Sequence, residues 1–308
     1  VKKKFSYLLA TIFFLVLVIG CTPDSVETES QGGVTDQAGR KVELDDVPQR
    51  IISLAPSNTE ILFALGLSDR IVGVTEYCDY PEEAKEKETI GGYNTVDLEK
   101  VVALSPDLIL ATSIHESEAL PALENRGLNV FVLNPTTMDE VLDAIWLVGE
   151  ITGATEEAES LVADMGARIS EVTEKTEDLA QEDRPRVFVI TWHDPLMTPG
   201  QDTRHGELIR LAGGQNIGQD LSGYADVSLE AVIKANPEVM IAGIGMGSGE
   251  DLPAQFMRTE PRLESTDARI NDRLYEMDVD LAGRPGPRIV DALEKFARFI
   301  HPELFPAT

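Results

Sequence analysis

The sequence predicts an α/β protein of two lobes, each built on a mainly parallel sheet, joined by a long backbone helix with a cleft between the lobes. Three observations predict it. The unit VDLEKVVALSPDLILA at 96–111 returns as VSLEAVIKANPEVMIA at 227–242 with a constant offset of 131, and six of the 16 paired positions are identical. Short apolar runs alternate with helical segments, the arrangement of parallel sheets covered on both faces. Between the halves, Ala158, Leu161, Val162, Met165, Ile169 and Val172 form one apolar stripe at helical spacing. A helix of that length reaches from one lobe to the other.

The elements follow in order. Lys2, Lys3 and Lys4 precede an apolar run from Phe5 to Ile19, and Gly20-Cys21 follows. A basic head, a short apolar stretch and a small residue at the cut site make residues 1–20 a secretory signal. The run is shorter than the roughly 20 residues of a membrane span. The Gly-Cys junction resembles a lipobox, which makes Cys21 the lipidated first residue of the mature chain and leaves Cys78 a lone thiol. Residues 22–35 are polar and lack apolar periodicity, and 21–46 is expected to form a flexible tether.

The first lobe is expected over 47–136. Arg50 to Leu54 reads as a strand, and Ser57-Asn58-Thr59-Glu60 reads as a capping box for a helix ending near Gly66. Ile71–Val74 and Val130–Leu133 supply further strands. In each copy of the repeat, Asp97 or Ser228 caps a short helix, Pro106 or Pro237 ends it, and LILA or VMIA forms a buried strand. The helical connector spans 137–182. Thr137-Met138-Asp139-Glu140 caps its first helix, which stops near Gly153, and the second runs from Thr155 to about Leu179. The second lobe, 183–308, opens with the strand Arg186–Ile190 and a helix over Glu207–Leu211 before Gly213-Gly214.

Composition narrows the function. With 54 acidic and 26 basic residues the net charge is −28, so the chain lacks the basic face that a nucleic-acid backbone requires. The four histidines, His115, His193, His205 and His301, form no HExxH motif and no Cys/His zinc spacing. GIGMGSG at 243–249 fits neither a P-loop nor a dinucleotide fingerprint, and Met246 and Glu250 rule out a nucleophile elbow at Ser248. His193-Asp194 are adjacent and therefore do not face each other as an acid/base pair. Nothing selects a reaction, and the chain is not expected to be an enzyme. A secreted metal-dependent hydrolase would need His193, His205 and an acid to converge.

A cleft lining is visible instead. Tyr77, Tyr80 and Tyr93 sit in irregular segments of the first lobe, and Trp192, His193, Met197 and Tyr224 in loops of the second. In a parallel α/β lobe, loops at the carboxyl ends of the strands face the ligand crevice. Arg284, in Gly283-Arg284-Pro285-Gly286-Pro287-Arg288, places a guanidinium where a polar ligand edge would lie.

RIISLAPSNTEILFALGL at 50–67, VGVTEYCDYPEEA at 72–84, the DLEKVVALSPDLILA unit and the terminal GRPGPRIVDALEKFARFIHPE together resemble one family. It is the helical-backbone class of substrate-binding proteins for ABC importers of cobalamin, haem and iron–siderophore complexes, and the likeness covers residues 47–303. EYCDYP, the IGGY stretch and the DLE unit look most like the cobalamin-binding branch. The resemblance implies a corrinoid as transported ligand, with no resident cofactor or metal. It implies a corrinoid cleft lined by Tyr77, Tyr93, Met197, Tyr224 and Arg284. Thr112 and Tyr93 stand where the branch carries bulkier indoles, so haem or a ferric siderophore is the alternative cargo. Glu99 and Glu230 match two glutamates, one per lobe, that dock on a permease dimer served by ATPase subunits. The expectation is a monomeric extracytoplasmic receptor, tethered to the outer face of the cell membrane through Cys21.

Overall fold

The structure, a computed structural model, describes residues 33–245 and 251–306. Cys21, the signal segment and residues 246–249 of the glycine-rich run lie outside the described residues. The fold opens with a hairpin, β1 (Val34–Thr35) and β2 (Lys41–Val42), followed by β3 (Ile51–Ser53), α1 (Pro56–Ala64), β4 (Ile71–Val74), α2 (Leu98–Ala103), β5 (Leu108–Ala111), α3 (Ala119–Glu124) and β6 (Val130–Val132). Two helices come next, α4 (Met138–Thr152) and α5 (Thr155–Thr176). The second half runs β7 (Arg186–Ile190), β8 (Trp192–His193), β9 (Leu196–Pro199), α6 (Arg204–Leu211), β10 (Gln215–Asn216), β11 (Tyr224–Asp226), α7 (Leu229–Ala235) and β12 (Val239–Ile244). It ends with α8 (Leu252–Thr259), α9 (Asp267–Ile270), β13 (Leu274–Asp278), α10 (Val279–Gly283) and α11 (Ile289–Ile300).

Each half holds a four-stranded parallel sheet, ordered β4-β3-β5-β6 in the first and β10-β7-β12-β13 in the second. The two orders correspond strand for strand, with β5 and β12 as the repeated strands. The repeat extends to chemistry that sequence alignment alone does not reveal. Ser105 and Asn236, equivalent positions before the prolines, both adopt the left-handed conformation, with φ of 47° and 49°. Asp107 accepts the backbone N–H groups of Gln49 and Arg50, and its counterpart Glu238 accepts that of Arg186. Arg50 donates to the carbonyls of Leu104 and Ser105 at the end of α2, and Arg186 to those of Ala235 and Asn236 at the end of α7. A guanidinium at the carbonyl end of a helix satisfies orphan acceptors and opposes the macrodipole. Both lobes therefore lock their strand–helix unit with the same clamp.

Side chains of the central strands alternate between two cores, as a two-sided sheet requires. Ile51, Leu108, Leu110, Phe131, Val187, Val189, Val239 and Ile241 enter a core continuous across both lobes through α4, α5 and α11. Ile52, Ile109 and Val132 face a separate outer core in the first lobe, and Phe188, Ile190 and Met240 another in the second. The expected connector is thus two different parts. α4, with the full Thr137–Glu140 capping box and a left-handed Gly153 after it, buries Val141, Ile145 and Val148 against the first lobe. α5 makes the crossing: it buries Ala158, Met165 and Val172, and Arg168 donates to Glu294 of α11 at 2.8 Å.

Two expectations are corrected. The stretch 21–46 is not all tether, because the β1–β2 hairpin belongs to the first lobe: Asp36 accepts the N–H of Val132 and pairs with Arg40. Ser57–Glu60 do not cap α1. Pro56 already stands in the first turn, Ala55 is the cap without a side-chain bond, and all four residues are buried. Proline lacks the N–H a cap would satisfy and its fixed φ starts the helix unaided.

Gly149 lets α4 and α5 touch. A Cβ there would lie 2.4 Å from the Cβ of Ala158 and 3.0 Å from the carbonyl oxygen of Ala154. Gly149→Leu is therefore expected to destabilise the protein by about 1–3 kcal/mol through overpacking. Urea unfolding checks this, and an unchanged midpoint would show that the crossing tolerates a side chain.

Candidate ligand-binding cleft

The carboxyl ends of the two sheets supply the cleft walls. In the first lobe β5 ends at Ala111, and Thr112 follows. His115 folds back so that its Nδ1 accepts the Thr112 N–H at 3.1 Å and its Nε2 donates to the Tyr93 carbonyl at 2.9 Å. Burial lowers the pKa of His115, despite those backbone bonds, and the neutral ring suits one acceptor and one donor nitrogen. Tyr93 is thereby pinned, and its hydroxyl lies 3.3 Å from Thr112 Oγ1.

In the second lobe β8, β9 and β11 form a small antiparallel sheet with no counterpart in the first. Trp192 pairs with Met197 across β8–β9, and Tyr224 stands opposite Pro199. The hydroxyl of Tyr224 shares a 2.9 Å hydrogen bond with Nδ1 of His205. Burial, helped by the neighbouring charge of Arg204, drives the His205 pKa down to about 4, so the ring is neutral at physiological pH. His205 and Tyr224 line a cavity of about 210 Å³ whose other walls include Val189, Ile241, Met277 and Phe296. That is below the roughly 300–1,000 Å³ of a whole-ligand pocket and suits one substituent of a larger molecule.

Arg204, at the start of α6, stands between these walls. Its Nη1 donates to the carbonyl of Gly283 at 2.9 Å and its Nη2 to that of Pro135 in the first lobe at 3.2 Å. Tyr224 and Tyr93 both lie within its electrostatic reach. Gly206 makes this placement possible, since a Cβ there would lie 2.2 Å from the Gly200 carbonyl oxygen. Glu207, one turn along, accepts the N–H of Met138 at the start of α4.

A second lobe-to-lobe contact adjoins the first, built on Arg284, the residue after Gly283, and on Arg288. Glu60 of α1, 2% exposed, receives both Nε and Nη2 of Arg288, at 2.9 and 2.6 Å. Arg284, 13% exposed, bonds Asp79 at 2.6 Å and Asp280 at 2.7 Å and approaches Glu60 at 3.5 Å. Its Nη2 also nears the Tyr77 carbonyl, and Arg288 stacks 3.7 Å from the centre of the Tyr80 ring. Burial pushes the Asp79 carboxyl up, but the hydrogen bond and the charge of Arg284, with smaller contributions from its own backbone and Lys85, together hold it below the usual range.

The structure thus joins Tyr93 with Thr112, brings Tyr224 beside His205 and Arg204, and groups Trp192, His193 and Met197 on one hairpin. Arg284, expected to offer its guanidinium to a polar ligand edge, is bonded to carboxylates from both lobes. His193 and His205 do not form a metal site: among the described residues no group of three or more His, Cys, Asp or Glu side chains converges on one point. Reasoning from sequence missed Glu60, Arg204 and Arg288. The signal available for Glu60 was an acid directly before the apolar run Ile61–Ala64, in a helix without a basic residue to pair it. Glu99 and Glu230 are exposed, each in the first turn of its repeat helix.

The model of the periplasmic binding protein family matches residues 51–281. The chain belongs to that family. It is 31% identical over 321 residues to an uncharacterised ABC transporter substrate-binding lipoprotein, YvrC, of Bacillus subtilis, covering 99% of both chains. It is 30% identical over 247 residues to a vitamin B12-binding protein of Vibrio campbellii, covering 80% of this chain and 86% of that one. The crystal structure of the periplasmic haem-binding protein RhuT from Roseiflexus sp. RS-1 superposes with a TM-score of 0.73 at 25% identity, over 83% of this chain and 99% of that one. As a periplasmic binding protein it is a non-enzymatic, substrate-binding component of an ABC transporter, working with membrane permease and ATPase subunits. No helix among the described residues is long and apolar enough to cross a membrane.

Glu60→Gln keeps the shape of the latch and removes its shared charge. Loss of a charge-assisted hydrogen bond at a buried site costs about 1.5–3 kcal/mol. Chemical denaturation should show a loss of that size. A change smaller than about 0.5 kcal/mol, the level of an ordinary surface substitution, would mean that charge does not hold the lobes.

Proposed function

We propose that this protein captures a corrinoid in the cleft between its lobes and delivers it to an ABC importer. Tyr77, Tyr93, Thr112, Trp192, His193, Met197 and Tyr224 provide apolar and aromatic contact, and the C-lobe cavity receives one substituent of the ligand. Arg284 acts through the latch that sets the distance between the walls. Such a cleft gains affinity by being largely formed before the ligand arrives.

The observation that carries the choice of cargo is the charge balance. Arg284 and Arg288 are matched by Glu60, Asp79 and Asp280. A ferric siderophore with several negative charges needs several uncompensated cations, whereas an amide-rich corrinoid close to neutrality needs at most one. Relationship to a vitamin B12-binding protein supports the same reading. Haem is the second reading, favoured by Tyr224 beside His205 and by the likeness to a haem-binding protein. Against it, burial raises the Tyr224 pKa more than Arg204 lowers it, which disfavours the phenolate that iron prefers.

Glu99 and Glu230 dock on the permease. They occupy equivalent first-turn positions of the repeated helices, and a pair related by an internal repeat fits a two-fold partner. Cys21 carries the lipid that holds the protein at the outer face of the membrane.

The purified protein, mixed with cyanocobalamin and passed over a desalting column, should elute with the corrinoid colour; colourless protein would refute the reading. The double variant Glu99→Ala, Glu230→Ala should bind the corrinoid as the wild type does yet lose uptake in cells. Loss of binding in that variant would assign the two glutamates to the fold instead.

A further inference from the structure

Three arginines stand where the lobes meet, and two of them are paired with carboxylates. Arg204 is the exception. No carboxylate oxygen of the described residues comes within 4.0 Å of its guanidinium; Glu207, the nearest acid along α6, is directed to the Met138 N–H instead. Among the described residues its only hydrogen-bond partners are two carbonyls, neutral dipoles that leave the guanidinium without a paired carboxylate. Burial penalises that charge and lowers the pKa of the group.

The unfilled part of the guanidinium has a definite geometry. Nε and Nη2 form the edge that takes two oxygens of a carboxylate or phosphate side by side. In Arg204 the Nε is sealed from solvent with no partner among the described residues, and Nη2 holds only the longer 3.2 Å bond to Pro135. The same edge in Arg288 holds both oxygens of Glu60 at 2.9 and 2.6 Å, which shows what such an edge does when an oxyanion is supplied. The other two sealed and unpartnered polar side-chain atoms among the described residues are His193 Nδ1 and Thr198 Oγ1, neither of which offers the two-point edge of a guanidinium.

We propose that Arg204 is the specificity-determining residue of the cleft, taking an oxyanion of the ligand on its Nε–Nη2 edge in place of the Pro135 carbonyl. This rests on the corrinoid reading, under which the oxyanion is the phosphodiester of the nucleotide loop. Exchange of a first-lobe carbonyl for a ligand oxygen also couples ligand capture to the contact between the lobes. A carboxylate on another tetrapyrrole offers the same chemistry.

The test compares cyanocobalamin with dicyanocobinamide, which lacks the nucleotide loop and its phosphate, by titration of the wild type, Arg204→Gln and Arg204→Lys. The wild type should prefer cyanocobalamin by about tenfold or more, the value of one charge-assisted contact. Arg204→Gln should abolish the preference with little change for dicyanocobinamide, and Arg204→Lys, which retains the charge, should keep part of it. Equal binding of both corrinoids by the wild type, or equal weakening of both by Arg204→Gln, overturns the role of Arg204 and leaves the corrinoid reading intact. If neither corrinoid binds, that reading fails, and haem is compared with haem dimethyl ester on the same three proteins. A preference for free haem that Arg204→Gln removes would support oxyanion recognition with a carboxylate source; equal binding of the two would overturn it.

Discussion

The buried carboxylate of Glu60 is the contact on which the arrangement of the lobes depends. It belongs to the first helix of the first lobe and is held by two arginines of the second, 224 and 228 residues away in sequence. A carboxylate with 2% exposure is strongly disfavoured unless its oxygens are matched. Arg288 matches it in two-point fashion and Arg284 ties it onward to Asp79 and Asp280. The cluster is worth little as net stability, because desolvation offsets most of the attraction. Its value is positional: each broken bond leaves a charge exposed to low dielectric, so the lobes have one favourable spacing at this end of the cleft.

The continuous core through α4, α5 and α11 limits the response of that spacing to a ligand. Met165 and Val172 of α5 share this core with Val187 and Phe296 of the second lobe and with Phe131 of the first. Parting the lobes by bending α5 would expose this packed interior, whereas the contacts at the mouth of the cleft are few and polar. Small movements that exchange polar partners are therefore the accessible ones, and Arg204, with its long bond to Pro135, lies where such an exchange costs least.

Much of the fold was legible because it is written in local chemistry. The apolar runs at 71–74, 108–111 and 186–190 became strands with the same bounds, and Thr137 with Glu140 capped α4 as the spacing required. The repeat was legible too, although Arg50 and Arg186, which clamp it, sit at an offset of 136 and escape an alignment at 131. The Ser57–Glu60 box failed for a physical reason: an S-x-x-E pattern cannot distinguish an acid that reaches back to its own helix end from one claimed by a partner far along the chain. The site was legible by residue type more than by role. Tyr93, Thr112 and Tyr224 do gather at the carboxyl ends of strands, while Arg284, expected at a ligand edge, is tied to carboxylates and Arg204, which the sequence did not single out, is left with carbonyls in exchange. An arginine's counter-ions are set by long-range contacts that composition and periodicity do not encode.

The excess of acid gives this exchange its meaning. With a net charge of −28, the protein's outer field disfavours any ligand of net negative charge approaching from solution. At physiological ionic strength that field fades over a Debye length of about 8 Å. A cation that must attract an oxyanion against it has to act at contact range, in a site with little water to screen it. Exposed lysines cannot do this, and arginines already paired with carboxylates have nothing left to offer. A half-buried guanidinium with a sealed Nε, hydrogen-bonded to carbonyls, meets both conditions, and it selects for a ligand that carries its anion within an otherwise neutral frame. The acidic surface and the carbonyl-bound arginine of the cleft therefore act in the same direction, the first rejecting small free anions and the second recognising an anion already embedded in a large ligand.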